Sequence, residues 1–244
     1  MKHTLSLLEM FLLLINFASG QSFNKSINKD SLMQNILKQL PEEKRDEFSK
    51  HYKEGNDEAK EFLLFMLSMP RSSRNELKAN IDSNFEKISL LRKSFPTLIP
   101  KGYVVSIEFN PPNNLMMTKE SVDMMIKDTT SKESKVKQEW NMEFNSEKLE
   151  QMLKRINWTN ETLMNVKKLL ADAKCISIKN GNTCTLGFAR SGMGKYSFVL
   201  FKNDLTPDEI KEYNDGCTYI FYKNNIVLEY GGGAVGPQCF TDVD

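Results

Sequence analysis

The apolar residues of this chain change period once, at Pro96, and that change limits what it can fold into. From Asp30 to Phe95 they recur at helical spacing, and from Tyr103 onward they alternate every second residue. Helices first and strands after is the pattern of an α+β protein. The division implied is a helical domain over 21–96 and an α+β domain over 97–244.

In the first part, Asp30 or Ser31 caps a helix running to Leu40, and Pro41 suits the first turn of a second helix that Gly55 ends. Asn56 caps a third, ending near Met69-Pro70, with a broad apolar surface from Phe62, Leu63, Phe65, Met66 and Leu67. The fourth, from about Ser73 to Ser94, carries Leu77, Ile81, Phe85, Ile88 and Leu91 at helical spacing. A small helical bundle follows from these facing stripes.

In the second part, strands are expected at about 103–109, 121–127 and 138–144, where Trp140, Met142 and Phe144 alternate, and Pro111-Pro112 ends the first. The polar run from Asp128 to Lys135 is expected to be a mobile loop. Two helices come next, Ser146 to Ile156 and Asn160 to Asp172, with Thr159 opening the second. Strands at 175–179, 184–190, 195–202, 217–223 and 226–230 then make a mainly antiparallel meander. Thr206-Pro207-Asp208-Glu209 starts a third helix within it, and Asn224-Asn225 is a two-residue hairpin turn.

Residues 1–20 have the composition of a secretory leader. A basic start at Lys2 and His3 precedes an apolar run through Phe11–Ile15, then small residues at Ala18 and Gly20 before a cut near Gly20/Gln21. Glu9 interrupts the run and leaves it shorter than the roughly 20 residues of a spanning helix. The product is expected to be secreted or periplasmic, with no membrane span after cleavage. Its net charge of +1 removes the basic stripe that a nucleic-acid binder needs.

All four cysteines, Cys175, Cys184, Cys217 and Cys239, fall in the last third of the chain. An even number in an exported protein implies bridges. Cys175 and Cys184 flank the turn at Asn180-Gly181, and Cys217 opens a hairpin whose Gly-rich exit returns to Cys239. The favoured pairs are therefore Cys175 with Cys184 and Cys217 with Cys239. With no C-x-x-C spacing, no metal site is expected.

Gly231 to Gly236 matches G-x-G-x-x-G after a strand, but Pro237 follows where a dinucleotide site needs a helix, so no cofactor is expected. Ser191-Gly192-Met193-Gly194-Lys195 lacks the lysine position of a phosphate loop and suits a hairpin tip. Ser191, Gly192, Gly194, Gly232 and Gly233 are nevertheless the ligand-binding candidates, because both loops belong to one end of a sheet with Arg190 between them. The mature chain keeps one histidine, His51, in a charged helical stretch where nothing orients its ring.

Pairing about Asn224-Asn225 sets Tyr219 opposite Tyr230, Ile220 opposite Glu229 and Phe221 opposite Leu228. Tyr219, Phe221, Leu228 and Tyr230 then share an apolar face, and Glu229 points away with Thr218 and Tyr222 onto a face that antiparallel sheets commonly leave wet. If that face is covered, Glu229 becomes a catalytic candidate.

These features point to an exported, non-enzymatic binding or interaction protein, its partner an unknown protein or small ligand. The alternative is a carboxylate-dependent hydrolase using Glu229 with Arg190 or Tyr230. An inhibitor or immunity-type protein directed at a secreted enzyme has the same sequence features.

Overall fold

The computed structural model describes residues 22–130, 135–231, 236 and 238–240. Residues 1–20, where a leader is expected, residues 131–134 of the expected loop, Gly232 and Gly233 lie outside the described residues. The chain forms two compact units, one of 22–68 with 112–119, the other of 69–111 with 120 onward.

The described residues of the first unit hold three helices, α1 (Lys29–Gln39), α2 (Glu42–Glu54) and α3 (Asp57–Leu67). The cap of α1 is Asn28, whose side chain accepts from the Ser31 amide at 2.9 Å, so this helix starts just before the predicted Asp30 or Ser31. Asn56 caps α3 in the same way, bonding the Ala59 amide at 2.9 Å. Phe23, Met33, Ile36, Tyr52 and Leu64 form the core of this unit.

The second unit holds α4 (Arg74–Ser94), α5 (Glu147–Arg155), α6 (Asn160–Asp172), the short α7 (Pro207–Glu212) and eight strands. These are β1 (Tyr103–Asn110), β2 (Ser121–Asp128), β3 (Lys135–Glu143), β4 (Ser177–Lys179), β5 (Cys184–Ser191), β6 (Gly194–Leu200), β7 (Tyr219–Lys223) and β8 (Ile226–Gly231). They make one sheet in the order β3-β2-β1-β4-β5-β6-β8-β7, with every pair antiparallel. The α+β architecture is as predicted.

The chain divides at Ser68, before the fourth helix, and not at Pro96. Leu77, Ile81, Ile88 and Leu91 of α4 belong to one core with Val105, Ile107, Leu186 and Phe198 of the sheet. The period change at Pro96 marks only where helix gives way to strand, because apolar periodicity records local geometry and not which element supplies the opposing face. Phe85, assigned to that stripe by spacing, is 46 % exposed, and the buried position in its turn is Asn84. Asn84 leaves helical geometry (φ −120°, ψ 20°), and its side-chain amide donates to Asn80 Oδ1 at 2.7 Å.

The apolar face of the sheet carries the aligned row Ile107, Ile178, Leu186, Phe198, Leu228 and Ile220. Helix α4 lies on β5 and β6, and α5 on β2 and β3.

Candidate functional site

One residue along each strand from that apolar row, a polar row crosses the sheet. Asp123, Glu108, Ser177, Gly187, Ser197, Glu229 and Tyr219 are successive cross-strand partners. In-register antiparallel partners point to the same side, so the register alone gathers these residues from seven strands onto one face.

At the centre of the row, Glu108 binds two cations. Arg190 donates to Glu108 Oε1 from Nε at 2.8 Å and Nη2 at 2.6 Å, and Lys195 Nζ donates to Oε2 at 2.8 Å and to Ser177 Oγ at 3.1 Å. The Glu108 side chain is 10 % exposed, against 35 % for Arg190 and 21 % for Lys195. A lysine ammonium has donors only, so Lys195 orients Ser177 and offers it no base.

Two features of β5 make this arrangement possible. The first is a register shift between Gly187 and Ala189, after which Arg190 is opposite Lys195. In an unbroken strand Arg190 would fall on the helix-covered face, so the bulge turns it towards Glu108. The second is Gly187, where an added Cβ would lie 2.1 Å from Ser177 Oγ and 2.9 Å from Lys195 Cδ. Lys195 crosses the sheet over this bare position.

Further along the row, Tyr219 is the partner of Glu229, where the hairpin turn predicted Ile220. A register shift between Phe221 and Lys223 adds one residue to β7 and displaces everything before it by one position. Glu229 therefore shares its face with Tyr219, whose hydroxyl donates to Oε1 at 3.4 Å. Burial raises the Glu229 carboxyl above its ordinary value, opposed by the Tyr219 hydroxyl and by Lys195 and Lys179. Tyr219 is in turn raised by burial and by the Glu229 charge.

The other candidates have separate surroundings. Tyr230 is on the helix-covered face, stacked on Tyr196 with ring centroids 4.3 Å apart, and its hydroxyl donates to the Ser191 carbonyl at 3.3 Å. Being adjacent on one strand, Glu229 and Tyr230 point to opposite faces. Ser191 Oγ donates to the Ser72 carbonyl at 3.0 Å, and the Gly192 amide donates to the Pro70 carbonyl at 2.8 Å. A Cβ on Gly194 would meet the Tyr230 ring at 2.8 Å. This hairpin tip is thus tied down by the segment leading into α4. His51 lies on α2 with Nε2 3.8 Å from Glu47 one turn away.

Cys217 and Cys239 are bonded, as predicted, across a sequence separation of 22. The second predicted bridge is absent, and Cys175 and Cys184 are buried free thiols. The β4–β5 register, with Ser177 facing Gly187 and Lys179 facing Thr185, sets Cys184 level with position 180, while Cys175 precedes β4 just after α6. A bridge needs Cα atoms within about 7 Å. Burial pushes both thiols up to about 12, Cys175 with a further contribution from Cys184. Among the described residues no group of three His, Cys, Asp or Glu side chains is placed to hold a metal ion.

The sheet ends on β3, an edge strand that begins three residues before its predicted start at 138. Asn141 adopts φ 52°, its amide donates to Asp123 Oδ1 at 2.7 Å, and the register shifts there. Met142 is buried against Val122, whereas Trp140 is 58 % exposed and Val136 is 55 % exposed. The predicted alternation placed Trp140 with Met142. The bulge separates them, and no local signal other than the asparagine marks it. Glu108, Lys195, Val136 and Trp140 were not singled out in the sequence, because each acquires its surroundings from other strands.

Compared with known protein families, curated proteins and solved structures, the chain matches none.

Proposed function

We propose that this chain is an exported, non-enzymatic interaction protein that engages another polypeptide along β3. The observation that carries the reading is the exposed edge strand with Val136 and Trp140 uncovered on it. An edge strand presents unpaired backbone donors and acceptors to an incoming strand, and tryptophan is enriched among residues that dominate binding energy. Export is supported by the leader composition of residues 1–20 and by the Cys217–Cys239 bond, which suits an oxidising compartment.

The hydrolase alternative draws on Glu229, whose raised carboxyl is a feature of general acids. Against it, Arg190 is engaged by Glu108 and Tyr230 is on the opposite face. Two open surface hollows, one beside Trp158 and the other beside Phe85 and Leu90, both lie away from Glu229.

A photoreactive side chain at position 140 of the mature, oxidised chain tests the reading. Cross-linking to a polypeptide in the native compartment is the expected result. No cross-linked polypeptide would overturn it, and hydrolysis lost on Glu229→Gln would put the carboxylate alternative in its place.

A further inference from the structure

The partner that β3 fits best is a second copy of β3. Resting on the interaction reading above, we propose that two copies of the chain pair their edge strands antiparallel about a twofold axis through Gln138, joining two eight-stranded sheets into one.

Symmetry and backbone geometry leave few ways to do this. In an antiparallel pair the outward-facing amides and carbonyls of one strand must meet those of the other, so residues of the same parity pair and the twofold passes through a residue. Among the described residues the segment from Lys135 to Trp140 is available for pairing, and the left-handed Asn141 breaks the edge immediately after it. Within that segment the axis can pass through 136, 137, 138 or 139 with neighbouring pairs on both sides.

Charge selects among these. An axis through Lys137 sets that lysine against itself, an axis through Glu139 sets two carboxylates together, and an axis through Val136 sets Lys135 against Lys137. Like charges directly opposite destabilise a ladder. An axis through Gln138 instead sets each Lys137 opposite Glu139 of the other copy, and each Val136 opposite Trp140. All four complementary pairs arise from one short segment, and they include the two large apolar side chains left exposed on this strand.

The two sets of pairs also sort correctly by face. Lys137 and Glu139 are partners of Ile126 and Met124, on the side of the sheet where Lys148 of α5 reaches Glu139 at 2.6 Å. Val136 and Gln138 are partners of Lys127 and Met125, on the opposite side. The dimer would therefore cover Val136 and Trp140 on one face and build a cluster of opposite charges on the other. The interface is small, so association should depend on protein concentration.

Sedimentation equilibrium of the mature, oxidised chain tests this, with Lys137→Glu, Glu139→Lys and the double swap K137E/E139K. The wild type should form a concentration-dependent dimer. Either single variant, which brings like charges together twice in the symmetric interface, should weaken it by about tenfold or more. The double swap should recover it, and circular dichroism checks that each variant is folded. A wild type that stays monomeric, or a double swap no better than the single variants, would overturn the inference. If the chain is monomeric but position 140 cross-links to a different protein, the homodimer is excluded and the interaction reading stands. Absence of both overturns both.

Discussion

Lys195 on β6 reaches Glu108 on β1, Nζ to Oε2 at 2.8 Å, across the two strands that lie between them. Neighbouring strands are about 4.8 Å apart, so the pair bridges roughly 14 Å of sheet. The bridge depends on what lies beneath it, the hydroxyl of Ser177 on β4 and the missing side chain of Gly187 on β5.

Gly187→Ala should therefore destabilise the second unit by roughly 1 to 3 kcal/mol, the range for overpacking at a filled position. Its methyl group would displace Lys195 from above β5. Combining it with Ser177→Ala removes the closest clashing atom, so the double variant should lose less than the sum of the singles. Urea midpoints of the four proteins measure this, and a neutral Gly187→Ala would contradict the packing.

Glu108→Gln leaves Arg190 and Lys195 on the sheet without their shared carboxylate. Removing one partner of a fully buried pair costs about 3 to 5 kcal/mol. Solvent reaches Arg190 and Lys195 here, so a loss of roughly 2 kcal/mol is expected. Chemical denaturation checks it, and a change within a few tenths would show that the cluster contributes no stability.

Cys175 and Cys184 should be silent towards thiol reagents in the folded protein. At pH 8 a thiol pushed up to about 12 has almost no thiolate, and burial blocks access as well. Titration should count no reactive thiol in the native state and two after unfolding without reductant. Two in the native state would contradict the burial, and none after unfolding would mean a second bridge.

Replacing Cys217 and Cys239 by serine opens a loop with a separation of 22 residues. In the chain-entropy model that costs about 3 kcal/mol. Thermal unfolding of the oxidised wild type and the double variant reads the difference directly. Equal midpoints would show that the bond does not brace the hairpin.

Glu229 gives a pH signature. Burial raises its folded pKa above the ordinary 4.5, so the folded chain holds this proton more tightly than the unfolded chain does. Its contribution to stability is then full below the ordinary value and is lost as pH rises through the folded value. Glu229→Gln has no such titration and keeps a group able to bond Tyr219. The stability difference between variant and wild type should move in favour of the variant as pH rises above the ordinary 4.5 and through the raised folded value, as measured by urea midpoints. A difference independent of pH would contradict the raised pKa.

Helix caps and strand positions were largely legible because their signals are local. Thr206 and Glu209 form the capping box that their spacing implies, Asn56 caps its helix, and the change from helical to alternating periodicity falls between α4 and β1. What failed turns on single residues whose effect is felt elsewhere. One extra residue in β7 moves Glu229 from the side of Thr218 and Tyr222 to that of Tyr219, and one in β5 turns Arg190 towards Glu108.

By itself, the sequence determined the kind and order of elements, the α+β class and the Cys217–Cys239 bond, since turns, caps and apolar periods act over a few residues. Only the tertiary structure decided the polar row, the free thiols, the division at Ser68 and the face on which Trp140 is exposed. These depend on strand register, and a one-residue bulge reverses which side of a sheet a side chain occupies while leaving almost no trace in the local pattern.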